Sequence, residues 1–398
     1  MSIKRRDNKN RILQNGESQR KDGRYMYKYI DNVGKTKYLY SWKLVKTDTA
    51  PRGVKNEVPL RDKIKMVQRD LNDGIIPSGD DTTVAQLVEK YVSLKTGVRE
   101  STQSSYRYVV NILKKEEFGR RRIDKVRLSD AKIWLIKLQK DGRGYSSIQL
   151  IRDVVKPAFQ MAVDDDLLRK NPFNFQLTTV VVNDSVARKA LTKEQERLFL
   201  DFIKEDDCFC AYYDAVYILF HTGLRISEFA GLTVSDIDLE NGIINVDHQL
   251  LKGRNGKYTI STPKTEYGTR LVPMTDEVKA CFAGILKNRS HPEEEPIVDG
   301  KSGFLYLDKN DMPMIALHWE NCFQEIREKY NKMNSVPMPY ITPHVCRHTF
   351  CSNMAKAGMN PKILQKIMGH SNVGITLNVY THIDFEDVQK EMQAVCSH

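Results

Sequence analysis

Between residues 23 and 42 apolar and polar positions alternate with a period of two. Tyr25, Tyr27 and Tyr29 fall on one side of a strand, and Met26, Lys28 and Ile30 fall on the other. The alternation resumes at Tyr38, Tyr40 and Trp42 after the turn Asp31-Asn32-Val33-Gly34. With residues 11–14 and the Asn15-Gly16 turn ahead of them, these segments predict a three-stranded antiparallel sheet. From 59 to 71 the period becomes helical, with Leu60, Ile64, Val67 and Leu71 on one stripe. Such a unit is expected to hold an aromatic face against its helix and to turn a basic face outward.

Pro77-Ser78-Gly79-Asp80-Asp81 breaks the pattern, and four helical segments follow over 83–94, 101–113, 129–138 and 146–163, each opening near a Ser or Thr able to cap it. They predict an all-α bundle ended by Asn171-Pro172. Residues 174–188 read as a linker, although Val180-Val181-Val182 is apolar enough to pack. From Leu191 a larger mixed domain begins. It has a largely apolar helix over 206–220, short strands at 243–246, 257–261 and 270–272 joined by turns, and helix elsewhere. At 398 residues the chain is too long for one core. The expected organisation is multidomain: a small β-sheet plus helix over 1–76, a helical bundle over 77–173, a linker over 174–188, and a mainly α-helical domain with a small antiparallel sheet over 189–398.

Charge sharpens this division. The net charge is +11, yet residues 1–76 hold 19 Lys and Arg against 9 Asp and Glu, residues 77–173 hold 19 against 13, and residues 174–398 hold 24 against 29. The front of the chain attracts polyanions, whereas the rear can handle phosphate only through a few placed cations. Aromatic residues interleave with Arg20, Lys21, Arg24, Lys28, Lys35 and Lys37, which makes these the candidate contacts. Hydrophobic residues at 40% and charged ones at 28% exclude global disorder. No apolar run approaches a membrane span of ~18 residues, and the basic start leads into no signal core, so the expected location is cytoplasmic. Seven scattered cysteines without a CxxC pair are expected to be reduced thiols.

Four patterns in the last domain carry chemistry. His221-Thr222-Gly223-Leu224-Arg225 leads from a buried helix through a glycine turn to one arginine, with Glu228 a turn later. Thr262-Pro263-Lys264-Thr265 holds a lysine in the turn between the second and third strands. Pro343-His344-Val345-Cys346-Arg347 opens a helix on which His344 and Arg347, three apart, share a face. Met368-Gly369-His370 is followed ten residues later by Tyr380. A rival reading of the third pattern makes His344, His348 and Cys351 a metal-binding face. Gly34-Lys35-Thr36 looks like the tail of a phosphate loop, but Tyr29 stands where its first glycine belongs, so it is assigned to a hairpin.

In order and spacing, "HTGLRISEFAGLTVSDID", "TPKTEYGTRLVPM", "TPHVCRHTF" and "MGHSNVGITLNVYTH" resemble the tyrosine recombinase, or phage integrase, family. The resemblance covers residues 77–398, and the first 76 resemble the arm-site-binding domain of conjugative-transposon integrases. Cys346 departs from the bulkier apolar residue common in the family. The resemblance implies a site-specific recombinase that integrates and excises a mobile element. Tyr380 would be the nucleophile that forms a 3′-phosphotyrosine, Arg225 and Arg347 would clamp the phosphate, His344 and His370 would bond it and move protons, and Lys264 would protonate the departing 5′ oxygen. It further implies double-stranded DNA as partner at core and arm sites, a homotetramer on paired sites, an excisionase and DNA-bending proteins as accessory partners, and no metal or other cofactor. Phe385, Val388, Met392 and Val395 fall at helical spacing, an apolar stripe expected to dock either on a neighbouring copy or on its own domain.

Three rival functions are weighed. A type IB topoisomerase uses the same nucleophile and clamp but needs no second class of DNA-binding unit. Metal-dependent transposition would recruit acids such as Asp164, Asp165 and Asp166, which as neighbours on a helix cannot all face one metal pair. A DNA-binding regulator on a recombinase scaffold has no need of six chemically competent residues.

Overall fold

The structure, a computed structural model, describes residues 5–31, 34–51, 53–54, 57–72, 82–185, 189–253, 256–263 and 266–380. The chain divides into two compact units, Met1–Val186 and Ala187–His398. The first opens with an antiparallel sheet in the order β1 (Glu17–Gln19), β2 (Tyr25–Ile30), β3 (Thr36–Ser41). Its first strand follows the Asn15-Gly16 turn, whereas the sequence had placed it ahead of that turn. The reason is local: Gly16 has φ +81°, its carbonyl accepts from the Lys28 N–H at 2.9 Å, and a Cβ there would stand 2.6 Å from the Tyr27 ring. Only after this crossing can the chain run alongside β2.

The register puts Tyr25 opposite Ser41, Tyr27 opposite Leu39 and Tyr29 opposite Lys37, while Met26 faces Tyr40 and Lys28 faces Tyr38. The tyrosines of the two strands therefore lie on opposite faces of the sheet. Tyr25, Leu44, Leu60 and Ile64 form the buried core, packed by Tyr27 and Leu39, so α1 (Leu60–Asn72) covers the Tyr25 side. Tyr38 and Tyr40 share the open side with Lys28.

The bundle comprises α2 (Val84–Ser93), α3 (Glu100–Lys115), the single turn α4 (Glu117–Arg120), α5 (Leu128–Lys140) and α6 (Tyr145–Asp164). Thr83 caps α2 through a reciprocal pair with Gln86, while the other long helices start on Arg99, Arg127 and Gly144 rather than on the expected Ser or Thr. Part of the stretch read as a linker packs here: Leu177 and Val181 are buried with the bundle core, and the Gln139 side chain pairs both backbone groups of Val182.

In the second unit, α7 (Lys193–Glu205) is followed by α8 (Tyr213–Thr222), which starts later than the period suggested because Asp206 takes the N–H groups of Cys208 and Phe209. After α9 (Ile226–Gly231) come β4 (Ile237–Asp238), β5 (Ile243–Val246), β6 (Gln249–Lys252), β7 (Tyr258–Ser261) and β8 (Arg270–Pro273). Three of them form a sheet in the order β4-β5-β8, and β6 and β7 form a separate hairpin. The expected second strand thus pairs with Gln249–Lys252, which the sequence had not marked, and the expected third pairs with β5. The helices α10 (Asp276–Asn288), α11 (Ala316–Met333), α12 (Pro343–Lys356), α13 (Pro361–Met368) and α14 (Val373–Tyr380) complete the unit. Trp319, Phe199, Phe220, Phe229 and Phe323 sit at the centre of its core.

A buried ion network locks the small sheet. Arg11 donates to Asp7 at 2.8 Å, to Asp48 at 2.9 Å and to the Tyr25 hydroxyl at 2.8 Å. Burial opposes ionisation of both carboxyls, but the bonds from Arg11 and from backbone N–H groups outweigh it and hold both below the ordinary carboxylate range. A depressed carboxylate stabilises the fold above its ordinary pKa of about 4, and that contribution is lost as pH falls below it. Arg11→Met is expected to cost the sheet roughly 2–3 kcal/mol, read as lost hydrogen-exchange protection in β2 and β3, because two buried carboxylates lose their shared cation. Undiminished protection would show that the network carries no stability.

Candidate active site

The site is built from two left-handed turns and one helix. At the end of α8, Gly223 takes φ +65°, and a Cβ there would lie 2.6 Å from the Phe350 ring and 2.7 Å from the Met368 sulfur. That turn buries Leu224 and sets Arg225 in extended conformation as the residue capping α9. Its backbone N–H donates to Glu228 Oε2 at 2.9 Å, Nη1 to Glu228 Oε1 at 2.6 Å, and Nη2 to the carbonyl of Gly369 at 2.9 Å. The side chain remains 33% exposed.

Arg347 comes from α12, which Thr342 caps and Pro343 opens. It is buried, and its guanidinium donates to the carbonyls of Gly223 and Met368. Burial and the charge of Arg225 push its pKa down to about 9, so it still carries its proton at pH 7. His370 follows the second left-handed turn, at Gly369 with φ +64°. Its Nδ1 lies 3.0 Å from the Thr376 hydroxyl. Burial and the charges of Arg347 and Arg225 lower its pKa to about 4, so the imidazole is neutral at pH 7.

Glu228 is the counterion to this group and is buried. Arg270 at the start of β8 meets it with a fork, Nη2 to Oε2 at 2.9 Å and Nη1 to Oε1 at 3.2 Å. Burial would raise the Glu228 pKa, but the bonds and charge of Arg270 and the charge of Arg225 lower it. Sequence reasoning had singled out Glu228 and missed Arg270. The available signal was an arginine at an inward position of a short strand, two residues before the buried Val272. Three guanidinium groups gather about one carboxylate, an excess of positive charge beside a cleft of about 350 Å³ lined by Arg225, Ser227, Gln249, Gly268, His370 and Ile375. Such a cleft suits a polyanionic ester.

Other expected members stand apart. His344 is exposed and lines a different cleft of about 210 Å³ with Glu320, Gln324 and Tyr340. Tyr380 ends α14 half-buried against Phe350, Leu364 and Met368, and its hydroxyl donates to the carbonyl of Met359. Burial and the neighbouring Cys351 raise its pKa above the ordinary phenol value. Lys264 lies outside the described residues, as do Phe385, Val388, Met392 and Val395.

On the open face of the small sheet, the guanidiniums of Arg20 and Arg24 lie 5.6 and 5.8 Å from the Tyr40 ring centre, and Arg24 lies 5.6 Å from that of Trp42. Lys21, Lys28 and Lys35 are exposed. Lys37 falls on the face of Tyr29, the side that α1 covers, so it does not share the open face with Lys28.

His344, His348 and Cys351 do not converge as metal ligands. Among the described residues the ligand atoms of Asp236, Asp247 and His248 do, within 4.8 Å of one another. There both His248 ring nitrogens are engaged, with Asp247 and with the Gly231 carbonyl, and Lys301 stands 3.8 Å from Asp236 and 3.7 Å from Asp247. A side-chain cation already serves those acids.

Residues 189–387 match the phage integrase family, and residues 1–71 match the DNA-binding domain of Tn916 integrase. The transposase from transposon Tn1545 of Streptococcus agalactiae and that from transposon Tn916 of Enterococcus faecalis are each 47% identical over 393 residues, 99% of this chain and 97% of theirs. The solved Tn1549 transposon integrase in complex with a circular intermediate DNA is 42% identical, with a TM-score of 0.75 over 79% of this chain and 99% of that one. The chain belongs to the phage integrase family of tyrosine site-specific recombinases, and within it to the integrases of conjugative transposons.

Proposed function

We propose that this integrase cuts and rejoins double-stranded DNA with Tyr380 as the nucleophile and Arg225, Arg347 and His370 as the groups that receive the scissile phosphate. The observation that carries the reading is the cluster itself: Arg225 and His370, from distant stretches of sequence, line one cleft, and the buried Arg347 bonds the carbonyls of Gly223 and Met368 in the two turns that carry them, with three guanidiniums to one carboxylate.

In the reaction, the Tyr380 oxygen forms a bond to phosphorus as the bond to the 5′ oxygen breaks, leaving a 3′-phosphotyrosine and a free 5′-hydroxyl. The phenol proton leaves with help from His370, and from His344 once its imidazole, which lines a separate cleft here, turns to the phosphate, and Lys264 supplies the proton for the departing oxygen. A phenol of pKa about 10 is ionised to about one part in a thousand at pH 7, a deficit near 4 kcal/mol. Here the hydroxyl also has to leave the Met359 carbonyl before it can attack. The added negative charge of the pentacovalent phosphorus is met by Arg225 and Arg347, fixed beforehand by carbonyl and carboxylate acceptors. Because the ester is conserved, rejoining needs no external energy source.

The small sheet supplies a second DNA contact. Its open face, with Arg20, Arg24, Lys28, Tyr38, Tyr40 and Trp42, would bind arm sites, the helical bundle core sites, and residues 189–398 the cleavage point. A separate arm-binding unit suits a recombinase, which must unite two duplexes, more than an enzyme that relaxes one. Exchange of both strand pairs requires four nucleophiles, hence four protomers, with an excisionase or DNA-bending partner to set direction. No helix among the described residues is long and apolar enough to cross a membrane, and a DNA substrate puts the work in the cytoplasm.

Tyr380→Phe is expected to abolish the covalent adduct with a suicide DNA substrate while leaving affinity within about twofold, and an adduct of normal yield would remove Tyr380 from this role. Arg225→Lys should bind DNA yet cleave about 100- to 1,000-fold more slowly, and near-native cleavage would contradict a two-pronged contact. Arg24→Ala combined with Lys28→Ala should weaken arm-site binding and reduce the slope of log affinity against log salt by about 2, with core-site footprints unchanged. An unaltered slope would place the arm contacts elsewhere.

A further inference from the structure

Arg225 has two acceptors for its guanidinium, Glu228 Oε1 and the Gly369 carbonyl, and they belong to different elements. Both are held by Arg270. Its fork takes both oxygens of Glu228 at 2.9 and 3.2 Å. On the other side its Nε donates to the carbonyl of Ile367 at 2.6 Å, in the last turn of α13. The turn that follows lies directly on the guanidinium: a Cβ at Gly369 would stand 3.0 Å from Arg270 Nη1 and 3.2 Å from Cζ. Arg270 is itself buried, with its side chain 1% exposed and Nη1 also bonded to the Gly268 carbonyl at 3.0 Å.

We infer that Arg270 is a positioning residue for the cleavage reaction, a cation that never meets DNA but fixes the direction in which Arg225 presents its N–H groups to the phosphate. The inference rests on the recombinase reading above and deepens it. Arg225 lines the cleft, whereas Arg270 lies behind it, bridging the carboxylate on α9 and the turn that carries His370. Only a planar fork can span those two sites at once; an ammonium keeps the charge and loses the geometry.

Charge supports the same role. Glu228 is faced by Arg225 from the start of α9, Arg270 from β8, Arg347 from α12 and neutral His370 from the turn after α13. With Arg270 gone, burial would move proton uptake by Glu228 to higher pH, and a protonated Glu228 would give Arg225 a weaker partner. Cleavage by such a variant should then fall as pH drops towards 6, where the native protein holds Glu228 ionised.

The test is single-turnover cleavage of a suicide DNA substrate by the full-length protein, with affinity and melting temperature measured alongside. Arg270→Lys is expected to cleave about 10- to 100-fold more slowly at pH 7 with DNA affinity within about twofold. Arg270→Met should add a steeper loss of rate between about pH 8 and pH 6 than the native protein. In an Arg225→Lys background the Arg270→Lys change should have less than about a threefold further effect, because the two act as one unit. Native rates with an unchanged pH profile, additive losses in the double variant, or losses of rate and affinity that merely follow loss of folded protein would each overturn the inference. Should Arg270→Met fail to fold, Arg270→Lys decides alone by its rate at native affinity. If the native protein forms no covalent adduct, the recombinase reading itself fails, a result distinct from any of these.

Discussion

The Glu228 carboxylate, buried between Arg225 and Arg270, is the interaction on which the catalytic arrangement depends. The cleft is backed by fixed positive charge, and fixed positive charge held away from water repels itself. One carboxylate resolves this without cancelling the field. It ties two guanidiniums in place, while Arg347 is held by the Gly223 and Met368 carbonyls. A second acid would halve the excess positive charge, and none at all would leave the arginines to splay apart.

The same field sets the state of the other groups. Together with burial, the larger cause, it keeps His370 neutral, able to accept a proton rather than add to the positive charge. Tyr380 is treated oppositely: packed against Phe350, Leu364 and Met368 and bonded to Met359, its phenol is held in the protonated form. The cations that would favour a phenolate act on it only when its oxygen enters the cleft. The proposed nucleophilic role therefore requires the end of α14 to move, since the side chain is not activated where it rests.

Much of this was legible along the chain. The helical stripes located α1, α2, α3, α5 and α6 to within a few residues, because each buries one face at regular spacing. Arg225, Arg347, His370 and Tyr380 were singled out because the four motifs that hold them resemble the family in order and spacing; taken alone each is an ordinary residue, and Tyr380 merely ends a helix. What failed was information held in pairing. The alternation of Tyr25, Tyr27 and Tyr29 and of Tyr38 and Tyr40 is the same in sequence, yet register sends the two rows to opposite faces. Strand Tyr258–Ser261 pairs with Gln249–Lys252, a choice that no local pattern records. Arg270 escaped notice for a related reason: an arginine in a strand is ordinarily a surface residue, and its meaning comes from Glu228, 42 positions away.

Gly369 joins these threads. Its carbonyl receives Arg225, its left-handed backbone delivers His370, and the face where a methyl group would sit is filled by Arg270 and by the Tyr267 carbonyl, 2.9 Å from that point. Even alanine would have to displace backbone on one side and a locked cation on the other, in a conformation that it already resists. The least forgiving position in this enzyme is therefore one that contributes no side chain at all, and a survey of reactive groups alone would pass over it.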